Sequence, residues 1–299
     1  MFSKLMIRLK GLFNFQYVLE RKLRALFYLE RVLESKEMLI NEDRAKNKGV
    51  IVSLTTYSNR INDVHLVIES LGCQTIKPAQ ILLWLDEEEF NVDTIPECLK
   101  MQMERGLTVK FCSNVKSYKK LIPTLKINPD KIIITIDDDV LYPHYFIEKL
   151  LNSHCLHPNA IIGYRGHRIT WDKKGNFNRY DKWEGEYQGG EESYDILLTG
   201  MGGVLYPPHC LHEYTCDESL FLKLAPNADD LWFKVMSILA RKKSKIIKPQ
   251  GEFFMDFISL DTNQDIALFH SNTQNGGNDI QFKKLIERFG LDISYFKDR

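Results

Sequence analysis

The chain has 299 residues, and its 40 Lys plus Arg equal its 40 Asp plus Glu, so net charge gives no case for a nucleic-acid partner. Six scattered Cys without a C-x-x-C pair or zinc-type Cys/His spacing argue against a disulfide framework and for reduced thiols in the cytoplasm. No apolar run approaches the roughly 20 residues that span a bilayer, and no secretory leader pattern is evident, so a cytoplasmic location is expected.

Residues 1–48 read as a separate basic, amphipathic helical segment, and residues 49–299 as the main domain. Phe2, Leu5, Met6, Leu9, Leu12 and Phe13 follow the 3-4 spacing of one helix face. Leu19, Leu23, Leu26, Phe27 and Leu33 repeat the pattern, with Gly11 and FNFQY marking a break between two helices. Seven basic residues oppose two acids in residues 1–31, a net +5. Such a segment can contact the inner face of an anionic membrane through residues 1–40; packing on the main domain or on a second subunit is the alternative. Polar residues 41–49 read as a linker.

From Gly49 the rhythm becomes strand, helix, strand, helix, strand, as in a parallel-sheet nucleotide-binding half. Strands are expected at 50–56, 79–85 and 107–113, and helices at 62–73 and 96–105. The stretch KIIITIDDDVLYP (131–143) is the most informative. Ile132 to Ile136 form a strand buried on both faces, which ends in Asp137, Asp138 and Asp139. Pro143 suits the first position of a new helix. Ligands of open parallel sheets bind beyond the carboxyl ends of strands. If the backbone stays extended, Asp137 and Asp139 point one way and Asp138 the other. Two carboxylates aimed together need a positive partner, for which a hard divalent cation, Mn²⁺ or Mg²⁺, is suited. An acidic loop favouring the next helix's N-terminus is the plainer reading. Lys119 and Lys120, just before this strand, can reach a phosphate.

The second half is less regular. Residues 160–170 read as a strand and 171–195 as a long functional loop, in which Trp183 is either an aromatic face for a ligand or part of core or lid packing. Residues 195–208 form a strand broken by glycines, and Gly202 and Gly203 allow close backbone approach by a ligand, or a β-bulge. APNADDLWFKVMSILARKK (225–243) is a helix with carboxylates at its front. IIKP reads as a last strand and the tail as a closing helix.

The ordered set SLTTYSNRI, ESLGCQTIKP, ILLWLD and ITIDDDVLYP resembles the nucleotide-sugar half of a GT-A fold glycosyltransferase. It is most similar to the inverting, family-2-like bacterial enzymes of surface-polysaccharide synthesis, such as lipopolysaccharide or capsule. The resemblance implies an α/β, Rossmann-like, mostly parallel sheet with flanking helices, the N-terminal helical segment being additional. It implies metal held by Asp137 and Asp139, with His270 completing it or touching the diphosphate. Thr55, Tyr57, Arg60 and Asp86 would hold the nucleoside of a UDP-sugar, and Asp138 would face donor ribose or sugar. Asp230 would be the base that takes the acceptor's proton, with Asp229 placing it or the acceptor. The acceptor would be a glycan or lipid-linked sugar, with Gly202 and Gly203 beside sugar or acceptor and Trp183 stacking on a sugar ring. No Q-x-x-R-W motif follows Asp230, which argues for addition of one sugar rather than polymerisation. Alternatives are a non-catalytic glycan- or membrane-binding protein, a phosphatase, or a nucleotidyltransferase. Leu141 departs from the phosphatase pattern, and SLTTYSNR lacks a nucleotidyltransferase's basic Gly-rich loop.

Overall fold

Near-continuous apolar runs settle the sheet, because strands covered on both faces need no polar alternation. In the computed structural model, which describes residues 2–260 and 276–298, β1 (Ile51–Thr55), β2 (Gln80–Asp86) and β4 (Ile133–Thr135) are such strands, while β3 (Leu107–Cys112), at the sheet edge, alternates and is buried only at Leu107. β1 pairs in parallel with β2 and with β4, and β2 in parallel with β3. After β5 (Val140–Leu141) come β6 (Ile161–Gly163), β7 (Gly166–Arg168), β8 (Ile196–Leu198), β9 (Val204–Tyr206), β10 (Ser244–Ile246) and β11 (Ile258–Ser259). The seven-stranded sheet runs β10-β6-β9-β4-β1-β2-β3, and β7/β8 and β11/β5 form two-stranded ribbons. Only β9 is reversed in the large sheet, antiparallel to both β4 and β6. The architecture is therefore α/β with a mostly parallel central sheet, as expected.

Side-chain alternation divides the core between two faces. Val52, Leu54, Ile81, Leu83 and Ile134 pack with Tyr28 of α1 (Phe2–Glu34), Val67 and Leu71 of α2 (Val64–Gly72), Leu99 of α3 (Glu97–Glu104) and Leu150 of α4 (Phe146–Leu156). Ile133, Val204 and Tyr206 face Leu231, Trp232 and Val235 of α5 (Asp229–Leu239) and Leu285 of α6 (Gly277–Phe289).

Several boundaries differ from the sequence reading. The first segment is one continuous 33-residue helix rather than two, since a single Gly costs a helix only about 1 kcal/mol. The strand expected over 160–170 is interrupted between β6 and β7, and the helix after Pro143 starts at Phe146. An unanticipated helix, Glu218–Leu224, is capped by Asp217, whose side chain accepts from Leu220 N–H. Among the described residues, no helix is long and apolar enough to cross a membrane.

The first helix is fastened to the domain. Tyr28, Val32 and Leu39 are buried, Leu39 N–H donates to Arg105 O at 2.8 Å, and Asn41 N–H donates to Pro78 O at 2.8 Å. Glu69, fully buried on α2, accepts from Arg105 Nη2 at 2.8 Å and Nη1 at 3.0 Å and from Gln102 Nε2 at 3.0 Å. Arg31 of α1 brings its Nε to 3.4 Å from the same carboxylate. Removing one member of a buried ion pair leaves the other uncompensated in low dielectric. Glu69→Ala is expected to lower unfolding free energy by about 3–5 kcal/mol, read as a lower urea midpoint. An unchanged midpoint contradicts this role.

Candidate active site

β4 stops at Thr135, and the chain then turns at Asp138 and Asp139. The backbone is no longer extended there, so the side-chain alternation expected for the three aspartates does not hold. Instead Arg60, from the turn after β1, reaches two neighbours, placing Nη1 at 2.6 Å from Asp138 and Nη2 at 3.0 Å from Asp139. Asp138 also accepts from Thr56 Oγ1 at 2.6 Å, which engages both its oxygens. Asp137 is fixed from behind, its N–H donating to the fully buried Tyr142 hydroxyl at 3.0 Å.

The opposite wall comes from α5 and the segment before β9. Lys120 Nζ lies 3.2 Å from Asp137 and 3.0 Å from Asp229, joining the strand-end acids to the helix-start acids. Ser117 Oγ donates to the second oxygen of Asp229 at 2.9 Å. Gly200 N–H donates to Asp230 Oδ2 at 3.2 Å. A Cβ on Gly200 would fall 2.7 Å from Lys120 Nζ and 2.8 Å from Asp137 Oδ1, so glycine keeps that ion pair intact. Gly203, at φ +72°, lets Phe146 pack where a Cβ would clash.

These walls enclose a cavity of about 690 Å³ lined by Thr55, Thr56, Tyr57, Arg60, Lys119, Lys120, Asp137, Asp138, Asp139, Gly200, Asp229 and Asp230, a size suited to a small organic ligand. Burial, and then the charge of Asp137, push Asp139 up to about 6 despite Arg60. Burial, and then Asp229, raise Asp230 well above the ordinary carboxylate range against the pull of Lys120. Burial disfavours the Lys120 ammonium, yet Asp137, Asp229 and Asp230 hold its pKa above the usual lysine value.

The remaining expectations are placed differently. Asp86 lies at the end of β2, buried beside Lys119 with 3.6 Å between charged atoms, and only the lysine lines the cavity. Thr55 lines it too, but its hydroxyl donates to Trp84 O at 2.8 Å. Gly202 and Gly203 do not line the cavity; Gly200 is the glycine that does. Trp183 is also absent from the lining, being buried against Phe282 and Tyr180 with its Nε1–H on Asn178 O at 2.9 Å. The aromatic face that this loop presents to the cavity is Tyr180. His270 lies outside the described residues. Sequence reasoning missed Thr56, Ser117 and Arg165. The register of Thr56, one residue past β1, was a usable signal for the first; nothing local marks the other two.

No protein-family model and no curated protein matches the sequence. Among solved structures, the chain is similar to the mannosyltransferase PcManGT from Pyrobaculum calidifontis, in complex with GDP-Man and Mn²⁺, at 13% identity and TM-score 0.52 over 92% of this chain and 74% of that one. It is also similar to S. aureus TarS residues 1–349, at 11% identity and TM-score 0.45 over 82% and 72%. The first likeness shows that the fold is of the GT-A type.

One turn beyond Asp230, Lys234 is buried with its Nζ donating to Ser244 Oγ at 3.1 Å. Burial pulls it down from 10.5 to about 7, against the attraction of Asp195 and Asp298. Between those pH values the unfolded chain binds the extra proton, so stability rises with pH across the window and the full penalty applies below it. Lys234→Met is expected to stabilise the protein by on the order of a few kcal/mol at neutral pH. The gain should shrink toward pH 10, and urea unfolding at the two pH values checks both statements.

Proposed function

We propose that the chain is a glycosyltransferase that moves one sugar from a nucleoside diphosphate sugar to a hydroxyl of a glycan or lipid-linked acceptor, with inversion. The observation that carries this reading is the juxtaposition, in one cavity, of Asp137 and Asp139 with a helix-start acid whose proton affinity is raised. The GT-A fold supports it by placing that cavity at the carboxyl edge of the parallel strands.

The residues fit a divalent cation. Asp137 and Asp139 are hard oxygen donors, and burial, with the charge of Asp137 beside it, raises Asp139 despite Arg60. Among the described residues no group of three or more potential ligands assembles, so substrate phosphates would have to complete the coordination of a cation held by the two carboxylates. Bound there, Mn²⁺ or Mg²⁺ would supply Lewis-acid stabilisation of the departing diphosphate.

The protein's own groups account for the rest. Asp230, with one oxygen held by Gly200 N–H, takes the acceptor hydroxyl proton as that oxygen attacks the anomeric carbon. The bond from that carbon to the diphosphate oxygen breaks, and the nucleoside diphosphate leaves. Raised proton affinity makes Asp230 a better base than an ordinary carboxylate, at the cost of losing its ionised form sooner as pH falls. Ser117 and Lys120 fix Asp229 beside it. Lys119 and Arg60 supply positive charge along the wall that would face the phosphates, and Tyr57 lies under the Arg60 guanidinium, 5.2 Å from ring centroid to Cζ.

Two experiments test the reading. UDP or GDP with Mn²⁺ is expected to raise the melting temperature of the wild type, and Asp137→Ala or Asp139→Ala should abolish the shift while the fold survives; no shift with either nucleotide counts against a nucleotide-sugar site. Asp230→Asn should retain the metal-dependent shift and lose sugar transfer by at least a hundredfold, the scale of a positioned base. Transfer at wild-type rate would refute the base assignment.

A further inference from the structure

The outward face of α1 has no use in the site. Toward the domain the helix presents Tyr28 and Val32, with Tyr17, Ala25 and Leu29 partly buried. Away from it, Leu19, Leu23, Leu26 and Leu33 are exposed at 46%, 54%, 63% and 55%, flanked by Phe15 and Phe27. Leucine recurs every seventh residue through the whole helix, at Leu5, Leu12, Leu19, Leu26 and Leu33. The interleaved positions three before these, from 9 on, are Leu9, Gln16, Leu23 and Glu30. A strict seven-residue repeat is the pattern of a seam between two helices, whereas one helix on a flat apolar surface has no need of it.

Charge decides what covers this seam. The first third of the helix carries Lys4, Arg8 and Lys10 with no acid. At the other end Glu30 and Glu34 are exposed, and Arg31 is turned inward to Glu69 and Glu37. Glu30 falls on the leucine stripe itself, between Leu26 and Leu33. An anionic lipid surface would repel Glu30 and leave it within the apolar layer. Parallel pairing with a like helix would set Glu30 against its own copy, and the three basic residues against theirs. Antiparallel pairing puts the acidic end of each helix beside the basic end of the other and leaves leucine facing leucine across most of the seam.

We infer that α1 is the interface of a homodimer, with the Leu5–Leu33 stripe of one chain packed antiparallel on that of a second copy. Such a pair is isologous and closes on itself, so no further copies add. The surface fits a second copy because each helix carries both halves of the complementary charge pattern.

Light scattering during size-exclusion chromatography of the full chain, at micromolar concentration, tests this. The expected mass is twice the 35.0 kDa of one chain. Leu19→Lys with Leu26→Lys should give the monomer mass at an unchanged melting temperature, since both side chains are exposed. A monomeric wild type, or a double variant that stays dimeric, overturns the inference. A monomeric wild type that sediments with phosphatidylglycerol vesicles, while the double variant does not, overturns it in favour of a lipid surface. Glu30→Lys should raise the dimer Kd several-fold at low ionic strength; an unchanged Kd overturns the antiparallel arrangement.

Discussion

Five carboxylates line one cavity from two facing walls, and two cations are threaded among them. Asp137, Asp138 and Asp139 arrive from the end of one strand, Asp229 and Asp230 from the start of one helix. Arg60 closes the first group and Lys120 bridges the first to the second. Nearby like charges of this number do not all remain ionised at ordinary proton affinity in a poorly solvated site. Burial first, and then the neighbouring carboxylates, raise the proton affinities of Asp139 and Asp230. Under the proposed function the same two causes suit a dication on one side and a base on the other. Local structure follows from the same constraint. Gly200 must lack a side chain for Lys120 to reach Asp137, and Thr56 must leave its strand to meet Asp138.

Much of the sheet was legible in the chain because burial on both faces writes itself as uninterrupted Val, Ile and Leu. VIVSLTT and ITIDDD each read directly as strand followed by site, whereas ILLWLD reads as strand and its Asp86 stays outside the cavity lining. The aspartates' directions were not legible, since they depend on where the strand stops. That point is set by pairing with Val204–Tyr206 and Ile51–Ser53 rather than by residues 133–139 themselves. Trp183 is a second case that the sequence left open. A large aromatic in a Gly-rich loop serves as a contact surface or as core, and Phe282, a hundred residues away, makes it core. Tyr180, three residues earlier and less conspicuous, takes the place at the cavity.

The N-terminal segment shows what composition leaves open. Its positive charge, counted as a sum, suits an anionic surface no better than packing on the domain or a second subunit. In the folded chain Arg31 is spent on Glu69 and Glu37, and Arg24 on Glu20 and the carbonyl of Asp256. Along the helix sequence the charge runs from basic at Lys4, Arg8 and Lys10 to acidic at Glu30 and Glu34, and a gradient selects for orientation where a net charge does not.

The reversed strand β9 has a different consequence. Its neighbours β4 and β6 leave the sheet at the edge where β9 enters it. Everything between β6 and β9, from Tyr164 to Gly203, is therefore strung between two anchor points on that one edge, and supplies Arg165, Tyr180, Leu197, Thr199 and Gly200 to the cavity. The span is also tied to the core between those anchors, since Trp183, Ile196, Leu197 and Leu198 are buried and Gly200 N–H holds Asp230. This wall is thus pinned at both ends by the sheet and in its middle by the core, so the residues that shape the cavity there sit at fixed places rather than on a free loop.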